Sequence, residues 1–212
     1  MTLPRFALLA LAASLALGAA PARAADFSDP TWPCVQRKVP NLSWGMMWTG
    51  LPLDGSLGDW REDDRVRPLA ARIAVRRTPM EEVETRVAEF AETLEGGEEA
   101  RARRLSLLFK GAFELIDRER AQIISGIGRY AQKQQALADR IDETRIELAE
   151  LREVEDPSFD QQDRMELLAD TVAWDTRIFD ERQQSLIYVC ESPVILEKRA
   201  FSVARAIMAH LP

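Results

Sequence analysis

The sequence predicts an all-α protein: an elongated antiparallel helical hairpin, or coiled-coil bundle of three to four helices, preceded by an irregular tryptophan-rich arm. Three observations predict it. From residue 78 onward apolar residues recur at alternating steps of three and four, the pattern of helices packed along a seam. Helix-stopping residues divide that pattern at few places, near 96–97, 157 and 193, so the helices between them should be long. Residues 26–63, in contrast, hold Pro30, Pro33, Pro40 and Pro52 with Gly45, Gly50, Gly55 and Gly58 and no sustained period, which is loop chemistry.

The chain opens "MTLPRFALLALAASLALGAAPARAADFSD". A basic residue, an apolar run from Phe6 to Ala20 and the A-x-A site Ala22-Arg23-Ala24 predict a signal peptide cleaved after Ala24. No later apolar run is long enough to cross a bilayer, so no transmembrane segment is expected once the signal is removed. Arginine outnumbers lysine 24 to 4, a bias of GC-rich genomes. Together these features predict export to a Gram-negative periplasm. The organisation expected is 1–24 signal, 25–77 arm with a short helix near 64–77, and 78–212 helical bundle.

The only cysteines are Cys34 and Cys190. An oxidising compartment favours their pairing, which would staple the arm to the helices. A closed loop of this length contributes at most about 5 kcal/mol in the chain-entropy account.

"TPMEEVETRVAEFAETLEGG" is the first marked helix. Thr78 suits the N-cap, Pro79 the first helical position, and Glu81 completes a capping box. Met80, Val83, Val87, Phe90 and Leu94 form its stripe, and Gly96-Gly97 ends it. A helix of about 55 residues should follow over 98–153, its inward stripe passing Phe109, Ala112 and Ile116, then Glu119, Ile123, Gly126, Tyr130 and Gln134, to Leu137, Ile141 and Leu148. The spacing between Ile123 and Gln134 predicts a stutter there. Gly126 and Gly128 at the same place suggest either a bend or, preferably, close approach of a neighbouring helix. Pro157 should end this helix and Asp160 cap the next.

That next helix carries Leu168, Val172, Asp175, Phe179 and Leu186 on one face, and Leu167, Trp174 and Ile178 widen it. Such breadth predicts contact with more than one surface. Ser192-Pro193 starts either a new helix or a kinked continuation, ending in a segment apolar enough to be buried. In the hairpin arrangement, helix 79–95 lies along the terminal end and 135–175 is a bare two-helix tip. In the alternative, a compact four-helix bundle, Gly126/Gly128 and Pro193 are true reversals.

After signal removal the chain has 26 basic and 35 acidic residues, net −9, a poor match for nucleic acid. The one histidine, His210, is expected to be a frayed surface residue, which leaves almost no raw material for a Ser-His-Asp site and too few histidines for a His-rich metal centre, and no phosphate-binding glycine motif occurs. No cofactor and no metal are expected. The preferred expectation is a non-enzymatic periplasmic interaction or adaptor protein with a protein partner, or forming a homodimer. Its candidate contact residues are Leu167, Trp174 and Ile178, and Trp32, Trp44, Trp48 and Trp60 of the arm. The alternative is small-molecule or metal binding by the Trp/Met-rich segment 32–60, and a carboxylate-based hydrolase comes third. The tryptophans themselves are expected chiefly to anchor the stapled arm by burying aromatic area.

Overall fold

The structure is a computed structural model that describes residues 32–212. The expected signal peptide and its cleavage site lie outside the described residues. Four helices follow one another: α1 (Val66–Ala74), α2 (Met80–Glu92), α3 (Glu98–Arg152) and α4 (Phe159–Met208). Before them come two short 3-10 turns, Trp44–Met46 and Gly55–Leu57. No strand occurs among the described residues.

Helices α3 and α4 form one long antiparallel hairpin. At 55 residues, α3 is about 80 Å long. Gly96, at φ 102°, makes the reversal into α3, a backbone state that only glycine adopts without strain. At the far end Ser158 caps α4 through a complete capping box with Gln161, so the expected cap at Asp160 is corrected by two residues. The serine sits where both partners of a box are present, and Asp160 already lies inside the first turn. Both helices run unbroken, which removes the compact bundle with reversals at Gly126/Gly128 and Pro193.

The main core lies at the base, where α1, α2, the first third of α3 and the last part of α4 meet. Phe109, Leu105, Leu108, Ile116, Leu196, Val203 and Ile207 are fully buried there. Gly111 lets the arm approach: a Cβ at this position would lie 2.8 Å from Trp60 and 2.9 Å from Ala70. Arg199, buried on α4, donates to the Ile73 carbonyl at 2.7 and 3.1 Å and to the Thr78 carbonyl at 2.6 Å. It thereby satisfies the carboxyl end of α1 and ties the α1–α2 link to α4. Burial alone holds its guanidinium pKa below the ordinary value.

Thr78 has a different task from the one its motif suggests. Its hydroxyl donates to the Arg72 carbonyl at 3.0 Å, and no side chain caps α2. The competing acceptor, the end of α1, is invisible in a local motif. The inward face of α3 also departs from the expected heptads in its middle. Arg120, Ile124, Ile127 and Ala131 are buried, whereas Glu119 is exposed and Ile123, Gly126 and Tyr130 are half-buried. The four-residue steps therefore come at Ile116–Arg120–Ile124, earlier than expected. An unbroken helix drifts against a strict heptad, and Arg120 gains partners by turning inward: its Nε donates to the Pro193 carbonyl at 3.2 Å, and its guanidinium also donates to the Val39 carbonyl. At Gly126 a Cβ would meet nothing nearer than an Arg129 nitrogen at 3.8 Å, so close helix approach does not explain that glycine.

Candidate interaction surface

The arm divides into two parts. Residues 32–41 are held by the Arg120 bond to the Val39 carbonyl and by the disulfide between Cys34 and Cys190, with Cα atoms 5.5 Å apart. Ile127 and Leu186 close over it, and Trp32, Ile123 and Tyr130 pack at its edge. From Leu42 onward the segment joins the main core. Trp48 stacks on Phe109 with ring centroids 4.4 Å apart, and its indole N–H donates to the Leu51 carbonyl at 3.0 Å. The Trp60 N–H donates to Glu114 at 2.9 Å, with the Arg61 guanidinium over its ring at 4.4 Å. Both rings are buried and both N–H groups are satisfied, the arrangement expected of structural tryptophans. Lys110 and Arg103 hold the carbonyls of Asp54, Gly58, Ser56 and Leu57 between them. The arm beyond residue 41 is therefore part of the base, not an appendage dependent on its staple.

Consequently the four arm tryptophans do not converge on a ligand groove. Trp48 and Trp60 are packed shut, Trp44 is 36% exposed, and Trp32 lies beside the disulfide. A surface cleft of about 300 Å³ opens next to that disulfide, walled by Val35, Gln36, Gln183, Ile187 and Glu191. A larger one of about 620 Å³ lies among Asp63, Arg65, Glu95, Arg103 and Arg104. Neither has a tryptophan in its wall. Among the described residues, no group of three or more His, Cys, Asp or Glu is placed to hold a metal ion. No described helix is long and apolar enough to cross a membrane.

The distal half of the hairpin differs from the base. Its seam buries Leu137, Ile141, Leu148 and Leu168 but is also strongly polar. Arg140 makes a two-pronged pair with buried Asp175 at 2.8 and 2.9 Å. Gln134 donates to the Phe179 carbonyl at 3.2 Å and the Tyr130 hydroxyl to the Arg182 carbonyl at 3.0 Å. These directional contacts define how α3 and α4 face each other.

With that seam settled, a second apolar stripe remains on α4. Leu167, Thr171, Trp174 and Ile178 are spaced four, three and four apart, so they share one face. Leu167 is 56% exposed and Trp174 63% exposed, while Thr171 and Ile178 are half-buried. The breadth foreseen for α4 is present, but only the α3-facing side is covered. At the hairpin tip Phe159 is 86% exposed, and in the middle of α4, close to Cys190, Ile187 is 65% and Tyr188 77% exposed. The sequence pattern singled out Leu167, Trp174 and Ile178, and the structure leaves this stripe open. It did not single out Phe159, Ile187 and Tyr188, whose only signal was apolar character at positions outside the expected seam.

Comparison with known protein families, with characterised proteins and with solved structures finds no match to this chain.

Proposed function

We propose that this protein is a non-enzymatic helical interaction protein of an exported, oxidising compartment, and that the outer stripe of α4 is its contact surface. One observation carries the proposal: a tryptophan and a leucine seven residues apart stand mostly exposed on a regular helix whose other face is already anchored by Arg140–Asp175. Single exposed apolar residues are ordinary, but an aligned, rigid stripe including tryptophan is the composition of a contact centre. The disulfide supports export, since such bonds persist where the medium oxidises. The net negative charge disfavours nucleic acid as the partner class.

The test is site-specific photocrosslinking in the host. A photoreactive aromatic residue in place of Trp174 is expected to yield one discrete protein adduct, suppressed by Leu167→Glu. The second change lies on an exposed position and should leave the melting behaviour nearly unaltered. Absence of any discrete adduct overturns the proposal.

A further inference from the structure

We infer that the occupant of the α4 stripe is a second copy of this chain, paired antiparallel through residues 160–185. This rests on the stripe being a contact surface, and it names the partner.

Register and charge along the stripe both favour this pairing. With Thr171 and Ile178 at the a positions and Leu167 and Trp174 at d, Arg164 and Glu181 extend the same a/d seam at its two ends. In an antiparallel pair each a position faces a d position of the other helix. A two-fold axis beside Val172 and Ala173 then sets Leu167 against Ile178 and Thr171 against Trp174, each contact occurring twice as two-fold symmetry requires. The same axis sets Arg164 against Glu181 at both ends. On the flanking g positions it sets Asp170 against Arg177. Every charged pair generated by this register is of opposite sign.

A parallel pair gives the reverse. There a faces a and d faces d, so Arg164 meets Arg164 and Glu181 meets Glu181. Flanking contacts bring Arg177 toward Arg182. Like charges so placed are destabilising. In the monomer Arg164 pairs with Glu147, and Arg177 with Glu181, across half-exposed or exposed sites. Pairs of that kind contribute little and exchange partners readily.

The same seam continues beyond Glu181: Ser185 and Tyr188 take the next a and d positions, and Tyr188 is 77% exposed. Phe159 and Ile187 fall at c positions, outside the pair. The overlap of about 26 residues runs for about 40 Å.

Sedimentation equilibrium of the purified, oxidised chain tests this. At tens of micromolar the expected mass is twice that of the chain. Trp174→Glu should weaken association by at least about tenfold, as should Asp170→Arg alone or Arg177→Asp alone. The double variant Asp170→Arg/Arg177→Asp should restore it. Wild-type chain sedimenting as a monomer overturns the inference, as does a dimer strengthened by Asp170→Arg or indifferent to Trp174→Glu. A monomer that still gives a discrete crosslink to a different protein at residue 174 overturns self-pairing and leaves the interaction function standing. A monomer with no adduct overturns both.

Discussion

Gly111 on α3 and Trp60 of the arm touch so closely that a methyl group on residue 111 would sit 2.8 Å from the indole. The neighbours there are an aromatic ring and the Ala70 methyl of α1, neither of which can swing aside. Gly111→Ala should therefore destabilise by about 1–2 kcal/mol, overpacking outweighing the gain in helix propensity. Gly126→Ala meets only open space and the end of an arginine, and should stabilise by about 0.5–1 kcal/mol. Thermal melts of the two variants should move in opposite directions. A stabilised Gly111→Ala would show that the arm does not pack on α3 as described.

Arg199 is the second point of vulnerability. Its three donated bonds end on the Ile73 and Thr78 carbonyls, which Arg199→Met would leave without that donor. The expected loss is about 2–3 kcal/mol in chemical denaturation, with Arg199→Lys intermediate because an ammonium lacks the planar fork. A methionine variant as stable as the parent would mean that water replaces the guanidinium at the end of α1.

Removing the disulfide should have a local effect. Cys34→Ser with Cys190→Ser should free residues 32–38 to proteolysis, while Val39 stays tied to Arg120, Trp48 and Trp60 stay packed and helicity is kept. The loss should remain below the roughly 5 kcal/mol ceiling for closing so long a loop. Limited proteolysis with mass mapping distinguishes this from cleavage throughout 33–64, which would mean that the staple, and not the core contacts, holds the whole arm.

Acid should weaken the base of the bundle. Glu82 accepts from Arg86 at 2.7 Å and from Arg72 at 2.9 Å, and its carboxyl pKa lies below the ordinary 4.5, chiefly through the Arg86 bond. Asp54 and Asp59 are lowered too, chiefly by the Ser56 hydroxyl and the Arg61 backbone N–H respectively. A carboxyl depressed in the folded state contributes stability above its unfolded pKa and loses it as pH falls through the folded value. Melting temperature should thus be flat from about pH 7 to 5 and decline below about 4.5, less steeply in Glu82→Gln. An unchanged slope in that variant would remove the Arg86–Glu82–Arg72 link from the account.

The long helices were legible because their punctuation is local: Gly96-Gly97 and the Pro157 turn bracket α3, and periodic apolar residues fill the space between. The cysteine pairing was legible because only one pairing exists. What local pattern does not encode is competition between distant groups. Thr78 begins a well-formed capping motif, yet its hydroxyl goes to the carbonyl of Arg72. Trp48 and Trp60 sit in an aperiodic segment, where nothing in the spacing tells a core aromatic from a surface one; Phe109 and Gly111 decide it. The middle of α3 turns Arg120 inward because carbonyls of Pro193 and Val39 await it. For the contact surface, the spacing of Leu167, Trp174 and Ile178 was readable, but which of the two α4 stripes is covered depends on the polar seam around Arg140 and Asp175.

Hydrogen exchange across α4, read by mass spectrometry, tests most directly whether the Leu167–Ile178 stripe is an interface. Concentrated protein, or protein in an extract of its own compartment, should protect residues 160–186. Dilution or Trp174→Glu should lose that protection, with the buried segments 105–116 and 196–207 unchanged. Exchange over 160–186 that is the same at every concentration, in the extract and in the Trp174→Glu variant would contradict the account.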